Sequence, residues 1–318
     1  MSFDIQIQEQ RYGKSIQLMD SNAETMVTIH SKGALMNSWK INKNDPSTEL
    51  IHGNPLHDIQ LKEESFEMNG FRSGKMSPFS CRIHKGQYDW EGASYRFNKF
   101  YLGQHAMHGL IYDADFEIKS TASTSDHAMV CLEFKYEGTD PGFPFPYIIQ
   151  VQWSLFKQHR IHVKTTIQNR SNQRIPMMDG WHPYFTLGDS VNAYQLEFKA
   201  LGKIEMDQEM IPTGQVSEMK DFEKGNTIGA THFDDCFLLD PMQSNVTIRH
   251  HEKSIEVHAQ HHYPYLQLYT PGDRKSIAIE NLSGAPDCFN NKMGLQVMEP
   301  HGMIHFETTY QFRTTSPQ

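Results

Sequence analysis

Apolar and polar residues alternate along most of this chain. In MIHFETTYQF (303–312), Ile304, Phe306, Tyr310 and Phe312 share one face, and His305, Glu307 and Gln311 share the other. A period of two residues marks a strand with one buried side. IQVQWSL (149–155), HRIHVKTTIQN (159–169), SIEVHAQ (254–260) and YLQLYT (265–270) repeat the pattern and are rich in β-branched and aromatic residues. Turn-forming clusters separate the runs: GTDPG (138–142), QNRSNQR (168–174) and TPGD (270–273). Long amphipathic helical stripes are scarce, and no unit of solenoid or propeller length repeats. The pattern predicts an all-β protein: one large antiparallel domain over residues 1–318, built as a β-sandwich of two stacked sheets. The polar tail TTSPQ (314–318) is expected to fray.

Composition narrows the partners. The 318 residues suffice for one large core. No run of about 18 apolar residues offers a membrane span. The opening MSFDIQIQEQ lacks a basic segment followed by an apolar one, so a cytoplasmic protein is expected, with a periplasmic home left open. A formal net charge of −9 repels phosphate backbones, which argues against a nucleic-acid partner. Cys81, Cys131, Cys236 and Cys288 show no CxxC spacing and read as thiols in a reducing compartment.

Several residues could carry chemistry. His182 sits in DGWHPYFTLG (179–188) beside Trp181, Tyr184 and Phe185. Those rings fit a core, and Trp and Tyr also fit a sugar platform, because a sugar's apolar face stacks on a ring. In SIAIENL (276–282), Ser276, Ala278 and Glu280 point away from Ile277 and Ile279. The small Ser and Ala leave room over that face for a cleft ending in a carboxylate; an exposed strand-end glutamate is the plainer alternative. His108 precedes a glycine, which permits a tight turn or close approach. Arg82, in SPFSCRIHKG (77–86), fits a surface arginine equally well. The histidine-rich RHHEKSIEVHAQHHYPY (249–265) invites a metal, but only His261 or His262 could share a face with His258, so a solvated strand end is expected and no metal is assigned. There is no GxSxG elbow, phosphate loop, HExxH or dinucleotide fingerprint.

Six segments in order resemble the aldose 1-epimerase (galactose mutarotase) family. They are GALMNSW (33–39), SGKMSPFSCRIHKGQY (73–88), MHGLIYDADFE (107–117), WHPYFTLG (181–188), FDDCFLL (233–239) and IAIENLSGAPDCFNN (277–291). The resemblance implies a β-supersandwich that interconverts the α and β anomers of a free hexose. It implies Glu280 as general base, His182 as general acid and His108 as a second histidine near the ring oxygen. Arg82 and Asp234 would hold sugar hydroxyls, with Asp235 as the alternative to Asp234, and Trp181 and Tyr184 would contact the sugar. Cys81, Thr186 and Asn281 replace the family's Asn, Asn and Pro, changes that bear on hydroxyl recognition.

The chemistry suits that set. A base takes the C1 hydroxyl proton while an acid protonates the ring oxygen; C1–C2 rotates, and the ring closes with the roles exchanged. A nearby glutamate is expected to push the pKa of His182 upward. The reaction requires no cofactor. The expected partner is a small-molecule sugar, with no nucleic acid and no membrane, and a monomer or homodimer is expected. Three alternatives remain: a hexose-6-phosphate 1-epimerase using Arg72, Lys75 and Arg82; a non-catalytic carbohydrate-binding protein; and a lyase or hydrolase, for which Glu280 has only Asp234 as a carboxylate partner.

Overall fold

A computed structural model describes residues 2–54, 70–260 and 262–314. His261 and most of the polar tail lie outside the described residues. The alternating runs form long antiparallel strands, as their pattern predicts. Tyr147–Phe156 buries Tyr147, Ile149, Val151, Trp153 and Leu155 and leaves Ile148, Gln150 and Gln152 partly exposed. It pairs with His127–Tyr136 on one side and Arg160–Asn169 on the other over ten residue pairs each. Met303–Thr314 pairs with Arg160–Asn169 and with Lys253–Ala259, joining the chain's end to its middle in one nine-stranded sheet.

An eight-stranded sheet faces it. Its core is the series Asp234–Leu239, Tyr265–Tyr269 and Ile277–Leu282, followed by the short strands Gly180–Trp181 and Tyr184–Phe185. Aromatic pairs bridge the two sheets along their length. Trp153 meets Trp181 with centroids 5.0 Å apart, Phe185 meets Tyr310 at 5.5 Å, and Phe198 meets Phe237 at 5.0 Å. Large rings fill the gap between twisted sheets with much apolar area per residue, the main source of favourable free energy here. A four-stranded sheet (Phe3–Glu9, Lys14–Asp20, Thr25–His30, Met36–Lys40) packs on the Glu117–Phe156 end of the larger sheet. One continuous hydrophobic cluster runs from Phe3 to Phe312. Among the described residues, the α-helix Cys288–Asn291 is a single turn.

This arrangement gives the strand Ile277–Leu282 two different faces. Ile277, Ile279 and Asn281 point into the sandwich, where the Asn281 Oδ1 accepts from the Thr308 hydroxyl at 3.3 Å. Ala278 and Glu280 point to the outer face. There, loops from residues 70–82 and 100–112 cover the sheet and leave a cleft.

Candidate active site

Strand register assembles the cleft floor. Gln267 stands opposite Glu280, Tyr269 opposite Ala278, and Asp234 opposite Tyr269. With side chains alternating at each step, Asp234, Gln267, Tyr269 and Glu280 share the outer face. The space left by Ala278 is therefore real, and Glu280 is buried at 1% exposure rather than standing at a solvated strand end.

His182 lies between the two short strands of the same sheet, separated by Pro183. Its backbone is clamped: its N–H donates to the Gly74 carbonyl at 3.1 Å and its carbonyl accepts from Ser73 at 2.9 Å. The ring stacks on Tyr184 (4.9 Å, 10° between planes), and the Tyr184 hydroxyl donates to the Gly70 carbonyl at 3.0 Å. His182 Nε2 lies 3.3 Å from Glu280 Oε1. His108 approaches His182 edge-on at 5.2 Å and packs on Phe71 at 4.6 Å. Gly109 makes that approach possible: at φ +80°, a Cβ there would sit 2.3 Å from the Ser77 carbonyl oxygen.

The cleft encloses about 270 Å³. Arg82, His108, His182, Tyr184, Asp234 and Glu280 all line it, although they come from five separate places in the chain. Trp181 does not. Its indole is buried against Trp153 and under the Lys75 ammonium (4.4 Å), so the expected sugar contact is corrected to a core role. The physical reason is parity: Trp181 and His182 are adjacent, so one faces the sandwich when the other faces the cleft. Asp234 rather than Asp235 faces the cleft. Gln267 Nε2 donates to Asp234 Oδ1 at 2.9 Å, while Asp235 pairs with Lys203 at 2.6 Å.

Arg72, Lys75 and Arg82 do not converge. Lys75 is fully buried in an ion pair with Asp179, which also accepts from the Tyr263 hydroxyl at 2.6 Å. Arg72 lies 5.9 Å from the Tyr184 ring and lines a neighbouring groove. Only Arg82 of the three lines the cleft.

The model of the aldose 1-epimerase family matches residues 15–311, nearly the whole chain. This chain belongs to the aldose 1-epimerase family. It is a carbohydrate epimerase, an isomerase-type enzyme acting on a small sugar. It is 28% identical to the uncharacterised protein YihR of Escherichia coli strain K12 over 240 residues, covering 71% of this chain and 75% of that one. Its fold matches a galactose mutarotase-like protein from Clostridium acetobutylicum with TM-score 0.85, 17% identity and 99% coverage of each chain. It also matches galactose 1-epimerase from Lactobacillus acidophilus NCFM with TM-score 0.83, 16% identity and 99% coverage of each chain.

The epimerase cleft is electrostatically unusual. Burial pushes Glu280 well above the ordinary carboxylate range, and the nearby Asp234 charge adds to that shift. Burial lowers His182 to about 4 and pushes His108 well below its ordinary value, with His182 and Arg82 adding to the His108 shift. The expected upward push on His182 is therefore reversed. A glutamate that is itself neutral offers no charge to hold a proton on the imidazole, so desolvation decides the sign. Both shifts favour a neutral carboxylic acid beside a neutral imidazole over an ion pair. Asp234 is also raised by burial, against the opposing Arg82 field.

Four buried polar atoms of the cleft residues have no protein partner: His108 Nδ1, His182 Nδ1, Gln267 Oε1 and Glu280 Oε2. Groups left unpaired at such a cost mark a site built for a polar ligand. Phe71, Phe100, Leu102 and Met107 supply an apolar wall that can take a sugar's C–H face. Of the three departures from the family pattern, only Cys81 lines the cleft; Thr186 bonds to its own turn and Asn281 faces the sandwich. Sequence reasoning missed Gln267 and Tyr269. Their signal was present: in YLQLYT, Leu266 and Leu268 mark the core parity, which leaves Gln267 and Tyr269 on the other face.

Proposed function

We propose that this protein is a mutarotase that interconverts the anomers of a free hexose within one sandwich domain. The observation that carries the reading is the buried His182–Glu280 contact at 3.3 Å in a cleft of unpartnered polar atoms. The two oxygens that exchange protons in a hemiacetal are bonded to the same carbon. An acid and a base that serve them must therefore stand side by side, as these two do.

Ring opening moves two protons. Glu280 takes the C1 hydroxyl proton while His182 gives one to the ring oxygen, breaking the C1–O5 bond and leaving a neutral aldehyde. Rotation about C1–C2 presents the other carbonyl face. Closing reverses both transfers, and the pair recovers its starting protons. The pair holds one proton throughout, on His182 before opening and on Glu280 while the aldehyde is bound. Burial by itself favours the second form. A sugar hydroxyl donating to Glu280 Oε2 makes the first accessible by hydrogen-bonding the carboxylate. His108, a neutral ring with an unpartnered nitrogen, contacts the sugar near its ring oxygen. Arg82, Asp234, Gln267 and Tyr184 orient its hydroxyls.

A free sugar fits better than a sugar phosphate. Arg82 is the one cation among the described cleft residues and shares the cleft with Asp234 and Glu280, a poor setting for a dianion. The unpaired thiols Cys81, Cys236 and Cys288 support a cytoplasmic setting.

The test is polarimetry of freshly dissolved α-D-galactose and α-D-glucose. Wild type should accelerate the approach to equilibrium rotation of at least one sugar. Glu280→Gln and His182→Ala should each lose about 10²–10⁴-fold in kcat. Sugar binding without acceleration by wild type would leave a binding protein instead.

A further inference from the structure

A second cluster of ligand-bearing side chains lies apart from the cleft. Asp189, His250 and His251 each offer one ligand atom, and all three atoms lie within 4.8 Å of one another. His250 Nε2 and Asp189 Oδ2 are already 3.1 Å apart. Neighbouring ligands around a tetrahedral ion with bonds of about 2.1 Å are separated by roughly 3.4 Å. The His250 and His251 rings have centroids 4.1 Å apart.

Two rigid turns hold the cluster. His250 pairs with Lys253 across a two-residue hairpin turn, and His251 occupies its first position at φ +50°. Hairpin turns of this kind favour Asn or Gly there, so a histidine is an unexpected choice on conformational grounds. Asp189 sits at φ +51° after Gly188. Its loop is tied down by the Tyr194 hydroxyl, which accepts from the Leu187 N–H at 2.7 Å and donates to the Gly188 carbonyl at 2.6 Å. The Tyr194 ring also packs on His250 at 5.2 Å, fixing the buried imidazole that faces Asp189. Asp189 and His251 are exposed, so an ion can enter and their side chains can adjust around it.

We propose that Asp189, His250 and His251 form a binding site for a divalent transition-metal ion of the Zn²⁺ class, with water completing the coordination. Two imidazoles and one carboxylate suit Zn²⁺, Ni²⁺ or Co²⁺ and disfavour Mg²⁺ and Ca²⁺, which require oxygen ligands. On binding, the ion takes the place of the hydrogen bond between His250 Nε2 and Asp189 Oδ2. None of the three residues lines the sugar cleft, so the ion links the loop that follows Tyr184–Phe185 to a hairpin of the nine-stranded sheet. The sequence segment 249–265 hid this site because its third ligand lies 61 positions away from His250.

The experiment is calorimetric titration of ZnCl₂ into metal-free full-length protein, with Mg²⁺ as the control. Crystals soaked in Zn²⁺ are measured at the zinc absorption edge. The expected result is one ion per chain and an anomalous peak between His250 and Asp189. Asp189→Ala and His251→Ala, both at exposed positions, should each weaken binding by about tenfold or more, while Mg²⁺ gives no heat. Absence of zinc binding overturns the proposal. So does binding as tight in both variants as in wild type, or a peak on other histidines.

Discussion

Desolvation sets the sign of both shifts in the Glu280–His182 pair, and activity and stability respond differently to it. The pair keeps its single working proton between the pKa of His182, about 4, and the raised pKa of Glu280. The acid limb of kcat/KM should therefore fall near pH 4 rather than near 6.5, which a pH series by polarimetry would reveal. Stability carries the opposite mark. Above the ordinary glutamate pKa of 4.5, the unfolded chain ionises Glu280 and gains hydration, while the folded chain must keep it protonated. The penalty is absent below pH 4.5 and grows as pH rises toward the folded pKa. Glu280→Gln, expected to lower turnover, should nonetheless raise Tm by about 2 °C or more at pH 8 and by little at pH 4.5, as calorimetry can check. His182 behaves in mirror image: its penalty appears as pH falls from 6.5 toward 4. The two neighbouring aspartates offer a cleaner contrast. Asp234→Ala should raise KM about tenfold, whereas Asp235→Ala, whose carboxylate meets Lys203, should leave it unchanged. At this scale the sequence showed which strand face Glu280 occupies. It could not show how deeply loops from elsewhere bury that face, and depth is what reverses the expected shift on His182.

Strands and their connections explain which expectations held. Period-two alternation identified the long strands, because each buries one face against the opposing sheet. It failed at Gly180–Trp181 and Tyr184–Phe185, two-residue strands broken at Pro183, which are too short to display a period. Trp181 was legible as an aromatic beside the site but not as a residue turned inward. Trp181→Phe should leave KM unchanged and lower stability in urea denaturation, because the lost volume opens a gap against Trp153. Behind the same strand, Lys75 and Asp179 neutralise each other out of contact with water. Burial lowers Lys75 to about 8 and raises Asp179. Lys75→Met should cost about 3–5 kcal/mol by leaving Asp179 unpaired, and adding Asp179→Asn should recover part of it. Nothing in the local sequence around Lys75 announces that partner, which is 104 positions away.

Across the whole molecule, the cleft depends on long-range pairing. Cleft residues run from Gly70 to Glu280, and the strand Met303–Thr314 must insert between Arg160–Asn169 and Lys253–Ala259 to complete the larger sheet. Pairings between segments so distant in sequence form slowly, because each closes a long loop before gaining contacts. The epimerase thus has no local fragment that could work alone. Hairpins such as 127–156 can form early without bringing His182 within reach of Glu280. During refolding, far-ultraviolet circular dichroism should recover before sugar turnover does. Turnover then acts as a completion signal: a sample can look fully β-structured and still be silent, and the return of the first rotating sugar dates the moment the last strand is in place.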